Sequence, residues 1–366
     1  MINPEKSAGI LRKTLIKNNK YLIAQVGGQG QERRDRKILD VYFRYKDYLD
    51  PIENPDWFSA PLKEVWSPKF LGLRENFLNL KVQRIKRLEY QNPPYSAAFR
   101  FLGEKGDPRK YAKVFTLQVG GCNYDCNYCY VPNQLKSGDA RFGKYFSAKE
   151  IVDHFLEIKK QRKDEQWNVL RISGGETLTI IPEIVLDMEK EISKRAPETY
   201  IWIDTNLSNT RHIKQFEKEL KKVFNKRNVG VVGCFKGVDK NDFSILTGVE
   251  QKFYKEQFET ARILIEMGAD LYIYLPALVY EDDIEKKMKS FVKKAQRIHK
   301  NLPLRVEVLS IIDYPAAIMN MKEKTKIGRP MPKVSQGIFF DYWYNRVLPK
   351  FYSEEELKKY CCQVPI

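Results

Sequence analysis

The sequence predicts an α/β protein: a partial (β/α)6 barrel of parallel strands, preceded by an N-terminal extension and followed by a C-terminal helical cap. Three observations carry this. From about residue 113, six short β-rich runs alternate with amphipathic helical stretches. The chemically unusual residues each follow the end of a different run. The first third of the chain lacks that rhythm altogether.

The first run is Val114–Val119, ending in Gly120-Gly121. Ser147 with Glu150 three residues on is a capping-box signature and opens a helix from about Ala148. The second run, Val169–Ile172, ends at Ser173-Gly174-Gly175 and leads to a helix near Ile184–Arg195. The third, Tyr200–Asp204, precedes a helix near His212–Phe224. The fourth is Val229–Gly233, followed by a helix near Phe253–Met267. The fifth is Leu271–Leu275, and a helix near Ile284–His299 leads to the sixth, Leu304–Leu309.

Right-handed crossovers make such strands parallel. The alternation fits an open doubly wound sheet and a partial barrel equally. Cys122, Gly174–Glu176, Asp204–Asn206 and Lys236 populate four strand ends. In a closed or partly closed barrel those ends share one rim, whereas an open sheet concentrates function at one switch point. Four populated ends favour the TIM-like arrangement.

This divides the chain into residues 1–112, a basic and aromatic extension; 113–315, the core; and 316–366, a cap. The extension holds Gly27-Gly28-Gln29-Gly30, the charged run Glu32–Lys37 and the aromatics Tyr42, Phe43, Tyr45, Tyr48, Trp57, Phe58 and Trp66. Lys81, Arg84, Lys86 and Arg87 form a compact basic cluster near Tyr90. No long Gly/Ser/Pro linker separates it from the core, so it is expected to pack there. Phe339, Phe340, Tyr342, Trp343 and Tyr344 read as a capping helix.

At 366 residues the chain is long enough for two or three domains, and 43% hydrophobic residues against 30% charged argue for a packed core. No apolar run approaches the ~18–20 residues of a membrane helix. The opening residues lack the apolar region of a secretory signal. A soluble, cytoplasmic protein with no membrane partner is expected. The net charge is +17. Residues 1–110 carry 22 basic and 13 acidic side chains, and the remaining 256 carry 42 and 34, so the first third is about twice as dense in positive excess. Such an excess favours an acidic or phosphate-rich partner, RNA or protein; a Lys/Glu-rich surface tuned for solubility is the plain alternative.

Three of the six cysteines, Cys122, Cys126 and Cys129, fall within one short loop after the first strand. Clustering in a cysteine-poor chain points to metal, not disulfides. Three thiolates suit an iron–sulfur cube or a zinc ion, but no His or fourth Cys lies at zinc-knuckle spacing. Three protein ligands also leave one metal position open, which is the logic of a catalytic site.

The spacing Cys122-x3-Cys126-x2-Cys129, with Tyr128 before the last cysteine, resembles the signature of the radical S-adenosylmethionine (SAM) superfamily. That resemblance implies a [4Fe–4S] cluster on the three cysteines, whose fourth iron chelates SAM. It further implies a flavodoxin- or ferredoxin-type one-electron reductant, and cleavage of SAM to methionine and a 5′-deoxyadenosyl radical that abstracts hydrogen. Ser173-Gly174-Gly175-Glu176 resembles the family's Gly-Gly-Glu motif at the SAM amino group. Asp204-Thr205-Asn206 resembles the segment that contacts the SAM ribose. Cys234-Phe235-Lys236, continuing to Thr247-Gly248, resembles the Asp-x-Lys segment of the pyruvate formate-lyase activating enzyme branch, in which the lysine neutralises the SAM carboxylate. Here Cys234 stands where the aspartate would be.

The resemblance spans about residues 113–315. It leaves open a macromolecule-modifying enzyme, an activase for a glycyl-radical protein, and an iron–sulfur electron-transfer or scaffold protein without catalysis. Cys361-Cys362 read as tail thiols, since a second cube wants four thiolates. His154, His212 and His299 read as ordinary helix residues, and the Gly27–Gly30 segment is no nucleotide loop because no G-K-[ST] follows.

Overall fold

The computed structural model describes residues 1–24, 43–46, 101, 112–129, 131, 133–161, 163, 166–280, 283–309, 315–330, 336–359 and 361–366. The chain opens with α1 (Pro4–Leu15), where Asn3 accepts from the Lys6 amide at 3.0 Å and proline occupies the first helical position. A hairpin of β1 (Ile16–Lys17) and β2 (Lys20–Ala24) follows. Asn18 and Asn19 turn it with positive φ of 51° and 57°, as a two-residue hairpin turn requires. Then come β3 (Phe43–Lys46), β4 (Ala112–Val119), β5 (Gly143–Phe146), α2 (Ala148–Gln161), β6 (Gln166–Gly174) and α3 (Pro182–Arg195). Next are β7 (Tyr200–Thr205), α4 (Thr210–Gln215), α5 (Glu217–Phe224), β8 (Val229–Cys234), α6 (Lys240–Thr247) and α7 (Tyr254–Glu266). β9 (Leu271–Pro276), α8 (Ile284–Gln296), β10 (Val306–Leu309), α9 (Pro315–Lys326) and α10 (Gln336–Asp341) come next, followed by a π-helix at Tyr342–Val347 and a short α-helix at Glu354–Leu357.

The sheet runs β1-β2-β4-β6-β7-β8-β9-β10, with β3 on β4 and β5 on β2. β4, β6, β7, β8, β9 and β10 are parallel neighbours, the six expected strands in sequence order. β10 pairs only with β9 among the described strands, so the sheet does not close. No helix among the described residues is long and apolar enough to cross a membrane.

The two faces of the sheet differ. One carries Phe115, Leu117, Leu170, Ile172, Ile201, Ile203, Val231, Leu271, Ile273 and Val306, packed under the helices in one large core. The other carries a smaller apolar cluster of Val114, Val169, Tyr200, Trp202, Val232, Tyr272 and Tyr274, joined by Cys361, together with the polar side chains Thr116 and Gln118 on β4, Arg171 and Ser173 on β6, Asp204 on β7 and Glu307 on β10. A parallel sheet covered by helices on both sides has apolar residues on both faces. Here the second face mixes a small apolar cluster with polar side chains, Gln118, Ser173 and Asp204 lying toward the ends of their strands.

Several local expectations are corrected. The helix expected over His212–Phe224 is broken at Phe216, whose φ of −111° and ψ of 17° leave the helical region. No Gly or Pro announced that break. The last strand starts at Val306 instead of Leu304, because Leu302–Arg305 forms a 3-10 turn around Pro303. α6 was not anticipated, although Asp239 caps it, accepting from the amides of Asn241 and Asp242, and Gly248 ends it at φ 72°. Residues 1–24 contribute a helix and two strands to the core sheet. The Gly27–Gly30 segment, the Glu32–Lys37 run, the Lys81–Arg87 cluster, the aromatics between Tyr48 and Trp66, and Tyr42, Tyr90 and Tyr130 lie outside the described residues.

Candidate functional site

The cysteine loop is fastened along its length by backbone hydrogen bonds. Gly121 N donates to Leu135 O at 2.9 Å, Cys122 N to Lys136 O at 2.9 Å, Asp125 N to Thr247 O at 3.0 Å and Asn127 N to Leu246 O at 2.8 Å. The Leu246-Thr247-Gly248 stretch therefore holds the loop directly. The loop also rests on the Gly174-Gly175 turn, with Gly175 N donating to Val119 O and Glu176 N to Gly121 O. A Cβ at Gly175 would stand 1.7 Å from Gly121 O, and Gly174 has φ +106°. The glycine pair is needed for strand ends to meet the cysteine loop backbone to backbone.

Cys126 is buried, and Cys122 and Cys129 are partly exposed. Two sulfurs already accept N–H groups: Asn206 Nδ2 donates to Cys122 Sγ at 3.8 Å and Val131 N to Cys129 Sγ at 3.4 Å. Burial raises the pKa of the Cys122 and Cys126 thiols, so a metal that binds them must release protons. Among the described residues no three His, Cys, Asp or Glu side chains converge as ligands of a single ion. Three thiols on one loop with N–H donors to sulfur fit a cube.

The other expected residues meet this loop, in ways the sequence did not always indicate. Glu176 has no exposed surface, and its carboxylate points inward. Oε1 accepts from Thr179 N at 3.0 Å and Thr205 Oγ1 at 2.8 Å, and Oε2 accepts from Asn206 N at 2.5 Å. It ties two strand ends together, where the resemblance implied contact with an ammonium group. Asn206 donates from Nδ2 to Asn123 Oδ1 at 2.9 Å, as well as to Cys122. Asp204 Oδ2 accepts from Arg171 Nε at 2.9 Å, and the guanidinium lies over the Trp202 ring at 4.2 Å. Lys236 Nζ stands 5.6 Å from the Tyr128 ring centroid, with no carboxylate at ion-pair distance among the described residues.

Sequence reasoning missed Gln257, Asp125 and Lys136. Fully buried Gln257 on α7 donates to Asn206 O at 2.8 Å and Cys234 O at 3.2 Å, while its Oε1 accepts from Lys236 N at 3.1 Å. One amide thus fixes three strand-end positions. Asp125 is gripped by Lys136 at 3.5 Å, Lys324 at 2.6 Å and Arg329 at 2.9 Å, and Arg329 also donates to its backbone oxygen. Asn320 donates to Cys129 O. Residues of α9 and just beyond it therefore clasp the cysteine loop. No spacing rule pairs Asp125 with Arg329 across 204 positions.

On that second face of the sheet, Thr116 Oγ1, Gln118 Oε1, Trp202 Nε1 and Asp204 Oδ1 are buried without a hydrogen-bond partner among the described residues. Unsatisfied buried polar atoms are costly, and a substrate-facing wall is where such a cost is tolerated. Cys234 ends β8 as a partly exposed thiol whose pKa burial pushes up to about 12, the inert behaviour of a structural cysteine. Cys361 packs with Val114 and Tyr200, and the Cys362 side chain is not described. His212 Nδ1 lies 3.1 Å from Thr179 O, and burial lowers its pKa.

Residues 111–252 match the family described as a 4Fe-4S single cluster domain, a span running from β4 through the cysteine loop to beyond α6. The matched span contains Cys122, Cys126 and Cys129. No curated protein matches the chain. Among solved structures it is similar to a radical SAM methyltransferase from Sphaerobacter thermophilus, with TM-score 0.39 and 12% identity over 60% of this chain and 65% of that one. It is also similar to native anSMEcpe with bound AdoMet, with TM-score 0.36 and 16% identity over 58% and 61%. A third likeness is to Streptococcus suis SuiB bound to S-adenosylmethionine, with TM-score 0.33 and 19% identity over 49% and 36%. The chain spans less than two thirds of each, and TM-scores below 0.5 carry no functional weight.

Proposed function

We propose that this chain is a radical SAM enzyme acting on a macromolecular substrate, RNA or protein. The observation that carries the reading is the cysteine loop itself: three thiols for a four-iron cluster, set where strand ends meet. When bound, the cluster supplies the electron that cleaves SAM to methionine and a 5′-deoxyadenosyl radical.

The chain's own residues bind and orient. Cys122, Cys126 and Cys129 hold three irons and leave the fourth to SAM. Asn206 donates to Cys122 Sγ and keeps that sulfur facing the site. The Lys236 ammonium, without a carboxylate of its own, is placed to neutralise the SAM carboxylate. Gly174 and Gly175 present bare backbone to the amino group, and Glu176 holds Asn206 in place from behind. Asp204, with one carboxylate oxygen unpaired among the described residues, would accept from the ribose hydroxyls. Tyr128 packs against Lys236 and limits the water reaching the sulfurs. A macromolecular substrate is supported by the +17 net charge.

The test is reductive SAM cleavage by the anaerobically reconstituted full chain. Dithionite and SAM are expected to yield 5′-deoxyadenosine and methionine. Cys122→Ala, Cys126→Ala and Cys129→Ala should each abolish it, and Cys361→Ala should not. Cleavage that survived loss of a loop cysteine would overturn the assignment.

A further inference from the structure

α8 carries on its outer side a row of cations that the cluster site does not use. Lys286, Lys289, Lys293 and Arg297 follow one another at spacings of three or four residues, so they share one helix face about 16 Å long. Like charges at such spacing repel and weaken a helix that has no partner for them. Together with Lys294 and Tyr342 they line an open groove of about 730 Å³. Two carboxylates also line it, Asp283 and Glu285. Glu285 is taken up by Lys289 at 2.7 Å and Lys350 at 2.6 Å. Among the described residues Lys286, Lys293, Lys294 and Arg297 have no carboxylate at ion-pair distance.

Beside this groove, between α7 and α8, lies a second hollow of about 560 Å³. Its lining includes Tyr254, Phe258 and Ile298 as well as Lys255, Glu256, Glu259 and Arg262, with Glu259 taken up by Arg262 at 2.7 Å, and Lys294 and Arg297 belong to both hollows. The Lys294 ammonium is 5.2 Å from the Tyr254 ring and 5.8 Å from the Phe258 ring. A row of cations, of which Lys286, Lys293 and Arg297 have no carboxylate at ion-pair distance among the described residues, next to a slot with apolar side chains, joined by two shared basic side chains, matches the alternation of phosphate and base along a nucleic acid strand. An acidic protein surface would find the cations, but it has no recurrent planar group for the slot.

We propose that the paired hollows on α7 and α8 bind single-stranded nucleic acid, phosphates on the Lys286–Arg297 row and a base against Phe258 and Ile298. The site lies outside the cluster machinery and goes beyond the SAM chemistry, so each stands or falls separately.

The test is fluorescence anisotropy of the reconstituted full chain with a labelled mixed-sequence 20-nucleotide RNA, the same sequence as DNA, an abasic DNA of equal length, and labelled poly-glutamate. Wild type should bind RNA, DNA or both at ~100 mM salt, and whichever strand is preferred names the sugar. The triple variant K286A/K293A/R297A should bind at least about tenfold more weakly. Its log–log salt slope should be shallower by about 2, near 0.7 for each of the three phosphate contacts removed. Its SAM cleavage without nucleic acid should be unchanged, since all three residues are exposed and none belongs to the cysteine loop or the strand ends that meet it. The abasic strand should bind more weakly than the intact one. Equal binding by wild type and triple variant would overturn the proposal, as would no wild-type binding at that salt. Equal affinity for the abasic strand or for poly-glutamate would reduce the groove to a general anion surface and overturn the base slot.

Discussion

At Glu176 a buried carboxylate accepts from two amides and one hydroxyl, and burial raises its pKa. Truncation would orphan Thr179 N, Thr205 Oγ1 and Asn206 N at once. At about 1–3 kcal/mol for each unsatisfied buried group, Glu176→Ala should destabilise the fold by roughly 3 kcal/mol or more. Thermal unfolding and iron content after reconstitution should fall together. Lys236→Ala should behave differently: cluster retained, SAM affinity reduced about 10- to 150-fold, the size of a charge-assisted pair of about 1.5–3 kcal/mol. Isothermal titration separates the two. A Glu176→Ala protein of normal stability that lost only SAM affinity would place that carboxylate against the ligand after all. The Gly-Gly-Glu turn was legible in the sequence, but its reason was not. The 1.7 Å approach to Gly121 and the inward carboxylate are properties of packed strand ends, which no local pattern encodes.

Between elements, the decisive contact joins α9 to the cysteine loop. Arg329 crosses Gly248 so closely that a Cβ there would stand 2.2 Å from the guanidinium, and it reaches both the carboxylate and the backbone oxygen of Asp125. Side chains of 13–27% exposure make this more than a surface pair. Arg329→Ala should cost about 1–2 kcal/mol, lowering the thermal midpoint by a few degrees. It should also speed loss of iron from the reconstituted protein in air. Unchanged iron retention would show that α9 merely lies beside the loop. Element boundaries were largely readable, since six β-rich runs and Ser147–Glu150 capping were on the page. The clasp was not, because a pairing 204 residues apart leaves no trace in composition or period.

Over the whole molecule, apolar periodicity announced the helix-covered face of the sheet. It was silent on the mixed face, where Gln118, Trp202 and Asp204 keep atoms unpaired among the described residues. The same alternation serves a strand with one face on a core and one on a ligand, so only the pairing register reveals it. The charge excess was legible as a number, +17, but its arrangement along α8 needed the fold to show which cations share a face. All of these parts converge on one claim, a cube held by three cysteines with one iron left for SAM. Mössbauer spectroscopy of the ⁵⁷Fe-reconstituted protein, with and without SAM, tests it directly. The account predicts about four irons per chain, of which one changes its signal when SAM is added while three keep theirs. Four irons indifferent to SAM, or stoichiometric zinc in their place, would contradict it.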